Sequence, residues 1–328
     1  MTLLIIVILL AWLALWIGWQ VYSPYKGYEG DEQFVMIYPG YSVPKIAREL
    51  QENGVIQSVS LFQWYVRLRY GSPSLKAGEY RFDSALSPAD VAEKIEEGRV
   101  YYHRVTIPEG YSMELILEAL VARGLGVRER FESAMQRTQW IQNIDPEAPD
   151  LEGYLFPETY LFTRTMTEEQ MIRAMVENFR RTWSPERQAR AKDLAMKARE
   201  VITLASLIEK ETGLREERKL VSAVFHNRLE KNIALASDPT VIYGVKQVKE
   251  YDGVIHQSDL DLDSPYNTYL YAGLPPGPIA SPGLASIDAA LYPAEANYLY
   301  FVSRNDGSHV FSDNYRAHSD AVRKYQRK

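Results

Sequence analysis

An uncharged apolar segment close to the N-terminus is the feature that most restricts how this chain can fold. Residues 3–19 read LLIIVILLAWLALWIGW, and continuing to Tyr22 gives twenty residues without a charge. A helix of that length, at about 1.5 Å per residue, spans about 30 Å, which is the thickness of a bilayer core. Trp16, Trp19 and Tyr22 gather at one end, as interfacial aromatic residues do. The segment therefore predicts a single-pass transmembrane helix over residues 1–22.

A cleaved signal peptide is the alternative interpretation of this segment. The stretch is long for a signal core, and no small-x-small cleavage site follows it, so a retained anchor is favoured. Charge does not orient the helix, because no Lys or Arg precedes it and only Lys26 follows closely.

Composition excludes several classes of function. The chain has 328 residues, with 37 Lys and Arg against 43 Asp and Glu, and this net charge of −6 argues against a nucleic-acid partner. The absence of cysteine rules out disulfides, thiolate nucleophiles and cysteine-type zinc sites. The five histidines lack metal-site spacing, and there is no GxSxG elbow or phosphate-binding GxxxxGK[ST] loop. We therefore expect no metal and no cofactor.

After the anchor, the pattern predicts a short linker and two mixed domains. Residues 23–31 read as a linker, residues 32–102 as a small α+β module, and residues 103–328 as a larger α+β domain. In the module we expect a strand at 34–37, a helix that Ser42 can cap, a helix at 58–70, a strand at 76–82, and a helix capped by Ser87 with Pro88 in its first turn.

The larger domain is predicted to be mostly helical at first and irregular later. We expect a strand at 104–107, a helix capped by Ser112, extended chain at 151–163, and helices at 167–183, at 185–210 (one or two) and at 218–230. From residue 236 onward Gly and Pro become frequent, with strand candidates at 298–303 and 309–311.

The segment 201–213, VITLASLIEKETG, is the best candidate for chemistry. Its apolar residues cover more than half of the helix circumference, so the helix should be largely enclosed. The last turn carries Glu209 and Glu211 on opposite shoulders of the apolar arc, which are the two edges where the apolar face meets the polar face. Periodicity alone does not choose between the two glutamates. A carboxyl at such a shoulder is partly desolvated, which raises its pKa and lets it act as a general acid on a glycosidic oxygen. Two solvated glutamates, paired with Lys210, Arg215 or Arg218, are the alternative.

An ordered set of motifs then gives a resemblance. IEKET, VFHNRL, SDPTVIYG and SPYNTYLYAGLPPGPIASPG occur in that order, between an EGY at 152–154 and the C-terminal YLYFVS and HVFS. In type and spacing this set resembles the YceG/MltG family of endolytic murein transglycosylases. The segment from YPG to EEG at the front is similar to the LysM-like module of that family.

The resemblance implies a catalytic glutamate in the helix-end motif, followed by a hydroxyl residue. Glu211-Thr212 fits that pattern and Glu209-Lys210 does not, so Glu211 is the expected catalytic residue and Glu209 a neighbour that tunes it. Candidate substrate-binding residues are taken from the matching motifs. They are Glu209, Thr212, Asn227, Arg228, Asp238, Thr240, Tyr243, Tyr266, Asn267, Thr268 and Tyr269. We expect Asn227 and Arg228 to hold either sugar or loop carbonyls, and Asp238-Pro239-Thr240 to form a turn.

The implied function is non-hydrolytic cleavage of the MurNAc–GlcNAc bond of nascent peptidoglycan by a lytic transglycosylase, leaving 1,6-anhydro-MurNAc ends and terminating strand elongation. The implied partners are glycan strands and peptidoglycan synthases, the penicillin-binding proteins. The implied location is the cell membrane, with the C-terminal bulk outside the cytoplasm. A lysozyme-type hydrolase and a non-catalytic peptidoglycan-binding or scaffold protein remain as alternatives.

Overall fold

The computed structural model describes residues 2–71 and 75–326. The chain forms two compact units, one made of residues 1–104 with 161–167 and the other of residues 105–160 with 168–328. Within the described residues both units are mixtures of helices and two-stranded sheets, which gives the predicted α+β class. Residues 1, 327 and 328, at the ends of the predicted anchor and larger domain, lie outside the described residues.

The apolar N-terminal segment forms one continuous helix, α1 (Thr2–Tyr22), as predicted. It carries no charged residue, and along most of its length the side chains are exposed. Among the described residues it is the one helix long and apolar enough to cross a membrane, a property that a signal sequence would share.

The rest of the first unit is a small α+β module. Strand β1 (Gln33–Ile37) pairs antiparallel with β2 (Gly78–Phe82), with Val35 opposite Tyr80. Helices α2 (Val43–Glu52) and α3 (Val59–Tyr70) lie between the strands in sequence, and α4 (Pro88–Glu97) follows them. Alternate strand residues and one face of each helix are buried in a common core, so the predicted elements are confirmed.

The helix starts of the module follow capping chemistry in two of three places. Ser58 accepts a hydrogen bond from the Leu61 amide, and Ser87 forms a capping box with Asp90, with Pro88 in the first turn. Ser42 occupies the cap position of α2, but its side chain makes no capping hydrogen bond, so the prediction that its side chain caps the helix is wrong. Pro44 in the first turn reduces the number of amides that need a cap there.

The second unit contains most of the helices. Strands β3 (His103–Thr106) and β4 (Thr159–Phe162) pair with each other, and each has residues in both units. Strands β5 (Tyr300–Ser303) and β6 (His309–Ser312) of the second unit pair antiparallel. Its helices are α5 (Met113–Ala122), α6 (Arg128–Met135), α7 (Glu168–Thr182), α8 (Pro185–Asp193), α9 (Ala198–Glu211), α10 (Arg218–Glu230), α11 (Asp238–Lys246), α12 (Gln257–Leu260), α13 (Leu284–Leu291) and α14 (Tyr315–Tyr325).

The structure refines three predictions for this unit. The stretch 185–210 forms two helices, separated near Ala195, whose φ of 53° lies in the left-handed region. Extended chain was predicted over 151–163, but strand geometry is confined to β4. Asp238, Pro239 and Thr240 were predicted to form a turn, yet they are the first residues of helix α11. Proline is tolerated there because the backbone N–H that it lacks would have no hydrogen-bond partner in the first turn of a helix.

Helix α9 is central to the second unit. It packs against α8, α10, α11 and α13, and every residue from Val201 to Ile208 is buried. The segment before α13 is fixed to it, because the Ile279 amide donates to the Ser206 hydroxyl at 3.1 Å. Gly153 approaches Pro278 and Ile202 so closely, at φ +83°, that a β-carbon would lie 2.5 Å from Pro278. The predicted enclosure of this helix is confirmed.

Candidate active site

The two carboxylates in the last turn of α9 point to different sides of the helix. Glu209 faces α10 and the start of α13, where it contacts Arg218 and Gly283. Glu211 faces the start of α11, where it contacts Ser237. These are the opposite shoulders that the helical period predicts, and the different neighbours on the two sides give the carboxylates different chemistry.

Glu209 is held by protein contacts at both of its carboxylate oxygens. One of its oxygens lies 2.8 Å from the Arg218 guanidinium and the other accepts the Gly283 amide at 2.9 Å. Its side chain is 5% exposed and that of Arg218 is 8% exposed, so the ion pair is enclosed. Both oxygens of Glu209 are therefore bonded to the protein itself.

Glu211 has the properties of a general acid. Its carboxyl is half-buried, and enclosure raises the pKa from 4.5 to about 7, with the negative charge of Asp238 adding to the rise. The Ser237 hydroxyl donates a hydrogen bond to it and Arg228 lies nearby, and both lower the pKa in part. A carboxyl with a pKa near 7 can donate and recover a proton at neutral pH.

The side of Glu211 that faces α11 is bordered by exposed polar groups. Asp238 is exposed, and its carboxylate accepts a 2.6 Å hydrogen bond from the hydroxyl of Tyr269, which is itself 41% exposed. An acid, a second carboxylate and an aromatic ring therefore lie together at an accessible surface. Saccharide sites use this combination, because sugars have apolar faces and polar edges.

Asn227 and Arg228, on α10, both hold loop carbonyls. The Asn227 amide donates to the carbonyls of Ala296 and Tyr298 at 2.8 and 2.9 Å. The Arg228 guanidinium donates to the carbonyls of Leu299 at 2.7 Å and Leu235 at 2.6 Å. Of the two roles expected for this pair, the structure supports the holding of loop carbonyls.

Thr240, Asn267 and Thr268 lie inside the protein. The two threonine hydroxyls are 2.8 Å apart, and Thr268 also accepts the Ser237 amide at 3.0 Å. Asn267 donates to the carbonyls of Leu260 and Leu262. All three are at most 1% exposed, so their polar groups fix the loop that carries Ser237 and Tyr269.

Tyr243 and Tyr266 form a second polar and aromatic cluster with Glu152. The two rings are 4.8 Å apart, and the Tyr243 hydroxyl donates to Glu152 at 3.3 Å. The Met113 amide also donates to the Glu152 carboxyl, at 3.0 Å. Burial nevertheless raises the pKa of Glu152 to about 8, so this carboxyl is largely protonated at neutral pH.

Thr212 connects the end of α9 to the C-terminal hairpin. Its hydroxyl donates to Glu217 at 3.4 Å and accepts the Leu214 amide at 3.1 Å. Glu217 in turn accepts the His309 amide at 2.9 Å and lies 2.6 Å from its ring nitrogen. The buried Thr212 therefore fixes the chain that directly follows Glu211.

Sequence reasoning missed Ser237, Glu152, Glu217 and His309. Ser237 precedes Asp238 within the quoted SDPT motif, so the motif contained a signal for it, and Glu152 similarly opens the quoted EGY. His309 likewise opens the quoted HVFS, whereas nothing in the local pattern marked Glu217. Among the described residues, no group of three or more His, Asp or Glu side chains is arranged to hold a metal ion.

Comparison with known proteins places the chain in a family. The sequence profile of the YceG-like family matches residues 35–324. An endolytic murein transglycosylase of Bacillus subtilis is 34% identical over 307 residues, covering 89% of this chain and 84% of that protein. The same-named protein of Streptococcus pneumoniae D39 is 29% identical over 318 residues, 88% of this chain but only 57% of the longer streptococcal protein.

A solved structure agrees with the sequence comparisons. The crystal structure of a yceG-like protein from Listeria monocytogenes matches with a TM-score of 0.61 and 31% identity, covering 88% of this chain and 98% of that one. The match extends over nearly all of the Listeria chain, so the likeness includes both units. The chain therefore belongs to the YceG-like family, whose curated relatives are endolytic murein transglycosylases.

Proposed function

We propose that Glu211 is the acid and base with which this endolytic murein transglycosylase cuts peptidoglycan. The observation that carries the proposal is the contrast between the two carboxylates of α9. Glu209 is locked in an ion pair, whereas Glu211 has a pKa of about 7 and lies beside an exposed carboxylate and tyrosine. Of the two, only Glu211 combines a proton to give at neutral pH with access for a ligand.

The reaction needs one proton donor that becomes a proton acceptor. Protonated Glu211 donates to the oxygen between MurNAc and GlcNAc, and the bond breaks through an oxocarbenium-like state. The glutamate, now anionic, takes the proton of the C6 hydroxyl of the same MurNAc as that oxygen bonds to C1. The product is a 1,6-anhydro end, and the enzyme regains its protonated acid without consuming water.

The hydrogen bond from Ser237 suits this cycle. It is strongest when Glu211 is ionised, because a hydroxyl donates better to a carboxylate than to a carboxylic acid. It therefore stabilises the intermediate form of the acid, while enclosure stabilises the resting form. Because these two influences oppose each other, both the protonated and the ionised form of Glu211 are accessible at neutral pH.

The test compares two isosteric variants of the full-length protein on purified sacculi. Glu211→Gln should abolish anhydro-muropeptide release, a loss of at least about a hundredfold, while Glu209→Gln should leave the activity of the folded fraction intact. Mass spectrometry identifies anhydro ends, which are lighter by one water than the reducing ends of a hydrolase. Normal release by Glu211→Gln, or specific loss in folded Glu209→Gln, would overturn the assignment.

We also propose that the N-terminal module is LysM-like and contacts glycan. The order strand, helix, helix, strand in β1, α2, α3 and β2 supports this, as does the resemblance of residues 38–98 to the family module. Binding of full-length Glu211→Gln to insoluble sacculi, compared before and after substitution of exposed module residues such as Tyr38, tests it.

The remaining proposals concern location and partners. We propose that α1 anchors the chain in the cell membrane with residues 23–328 outside the cytoplasm, where murein lies. Anchoring would confine the enzyme to newly made strands and to the penicillin-binding proteins that make them. Protease protection in spheroplasts tests the topology, and crosslinking of the full-length protein in cells tests the synthase contact.

A further inference from the structure

The first unit contains an apolar groove beside the anchor helix. Helix α1 packs against α3 and α4, and between α1 and α3 lies a groove of about 340 Å³. Ala14, Gly18 and Val21 border it on one side, and Trp64 and Leu68 border it on the other. Every residue that lines the groove is uncharged, so the groove has no electrostatic attraction for a polar ligand.

The α3 side of this groove exposes large apolar side chains. Trp64 and Leu68, four residues apart on one helix face, are 49% and 69% exposed. Between them Tyr65 packs edge-on against Tyr22 of α1, with ring centroids 6.3 Å apart. Apolar surface of this kind next to a hydrophobic helix marks a contact with a partner or a membrane.

The length of α1 determines which partner fits. Its 21 residues span about 31 Å, so a helix that crosses a bilayer core of about 30 Å has no turn to spare outside it. The groove reaches back to Ala14, eight residues and therefore about 12 Å before Tyr22. Where α1 spans a bilayer, the α3 side chains that border this groove face a part of α1 that lies among the lipid acyl chains.

The connection between α1 and the module leaves little freedom to avoid this contact. The Ser23 amide continues the helix by donating to the Trp19 carbonyl at 2.8 Å. Tyr25 then forms an antiparallel bridge with Leu86, with both amides bonded, and Gly27 donates to the Gly54 carbonyl at 2.8 Å. The residues predicted to be a linker are thus hydrogen-bonded to the module itself.

Charged residues flank the apolar face in the manner of an interfacial helix. Arg67 and Arg69 are exposed on either side of Leu68 in sequence. Long arginine side chains can lie over apolar surface while their guanidinium groups reach lipid phosphates, and tryptophan and tyrosine favour the same boundary.

We propose that α3 is a second membrane contact, which inserts Trp64 and Leu68 into the leaflet that α1 leaves at Tyr22. The occupant of the groove is lipid of that leaflet. The inference rests on the proposed anchoring by α1 and gives the N-terminal module a fixed orientation on the bilayer. It does not depend on the identity of the catalytic residue.

The test uses the absence of cysteine in the natural chain, which allows a single spin label at each chosen position. Full-length Leu68→Cys and Trp64→Cys are labelled in lipid nanodiscs, and the accessibility of the label to oxygen and to a water-soluble nickel chelate is measured. Leu10→Cys, within α1, is the control for anchoring, and Glu52→Cys, exposed on α2, is the control for an aqueous position. We expect the labels at positions 68 and 64 to be several-fold more accessible to oxygen than to the nickel chelate, as at position 10. The label at position 52 should be more accessible to the nickel chelate than to oxygen.

Three outcomes would overturn the inference. Nickel accessibility at positions 64 and 68 equal to that at 52, with position 10 still protected, means that α1 is anchored but α3 does not touch lipid. Low accessibility to both reagents means that protein, such as a second copy of the chain, fills the groove. Nickel accessibility at position 10 itself means that the anchoring proposal has failed. Murein cleavage is assayed separately and is independent of all three results.

Discussion

Ser237 donates a hydrogen bond from its hydroxyl to the carboxyl of Glu211, and this contact joins the start of α11 to the end of α9. The next residue, Asp238, acts on the same carboxyl in the opposite direction, because its negative charge disfavours ionisation of Glu211. Adjacent residues thus move the pKa of one acid in opposite directions. Enclosure, the largest influence, sets the pKa at about 7.

Replacing Ser237 by alanine removes the donor that favours the ionised form of Glu211. The pKa of Glu211 should rise further above 7, so the alkaline limb of the pH–rate profile should move to higher pH. The maximal rate should fall several-fold, because the carboxylate formed after proton donation loses its hydrogen bond. Initial rates of anhydro-muropeptide release, measured across the pH range around neutrality, check both effects.

The matched control for this change is Ser222→Ala on α10. Ser222 is fully buried, and within the described residues its hydroxyl has no hydrogen-bond partner. Loss of a buried hydroxyl as such should therefore leave the profile where it is. A profile that stays in place in Ser237→Ala as well would mean that the contact does not influence the acid.

Asp238→Asn should have the opposite effect on the profile. Without the neighbouring charge the pKa of Glu211 falls, and the alkaline limb moves to lower pH. The asparagine side-chain oxygen can still accept the hydrogen bond from Tyr269, so the local geometry is retained. The same rate measurements decide the matter, and a shift in the same direction as Ser237→Ala would contradict the opposing influences described above.

The helical period predicted the enclosed helix and the two shoulders of α9, but not the difference between the shoulders. That difference comes from Arg218 and Ser237, which are nine and 26 residues away from the glutamates that they contact. Local periodicity reports which face of a helix is buried, whereas the group that covers each shoulder depends on how α10 and α11 pack. The motif resemblance, and not the spacing, favoured Glu211 beforehand.

Polar motif residues were harder to interpret, for a related reason. Thr240, Asn267 and Thr268 are of residue types that bind sugars, and the same types also satisfy backbone groups in buried loops. In the fold they are enclosed and bonded to the protein, whereas Asp238 and Tyr269, from the same motifs, are exposed. A sequence lists donors and acceptors, but burial decides whether they face a ligand or the chain.

The raised pKa of Glu211 should make the protein less stable as the pH rises. The folded state keeps a proton up to about pH 7 that the unfolded chain, with a carboxyl pKa near 4.5, has already lost. The free energy of unfolding should therefore fall as the pH rises between these values and stay level above them. Glu211→Gln has no titrating carboxyl at this position, so its own stability does not fall in this way. Relative to the wild type, its free energy of unfolding should therefore rise by up to about 3 kcal/mol between pH 4.5 and 7.

Denaturant unfolding of wild type and Glu211→Gln at several pH values measures this gain. Glu152, whose pKa is also raised, is present in both proteins, so its contribution cancels in the difference. Glu118→Gln, at an exposed position of α5, is the control for the loss of a surface carboxyl. A constant difference for Glu211→Gln would show that its carboxyl is not selectively protonated in the folded state.

Glu209→Gln should destabilise the protein and leave the chemistry of the site unchanged. The substitution leaves the buried guanidinium of Arg218 without its closest anionic partner, which typically costs about 3 to 5 kcal/mol. Glu109, 3.4 Å from the same guanidinium but 44% exposed, should recover only a part of that loss. Adding Arg218→Met should restore some stability, because no unpaired charge then remains. The double variant should therefore be less destabilised than the sum of the effects of the single variants.

Denaturant midpoints measure the stability of the three variants, and the pH–rate profile of the folded Glu209→Gln fraction should match that of the wild type. An unchanged midpoint together with an altered profile would instead assign Glu209 to the reaction.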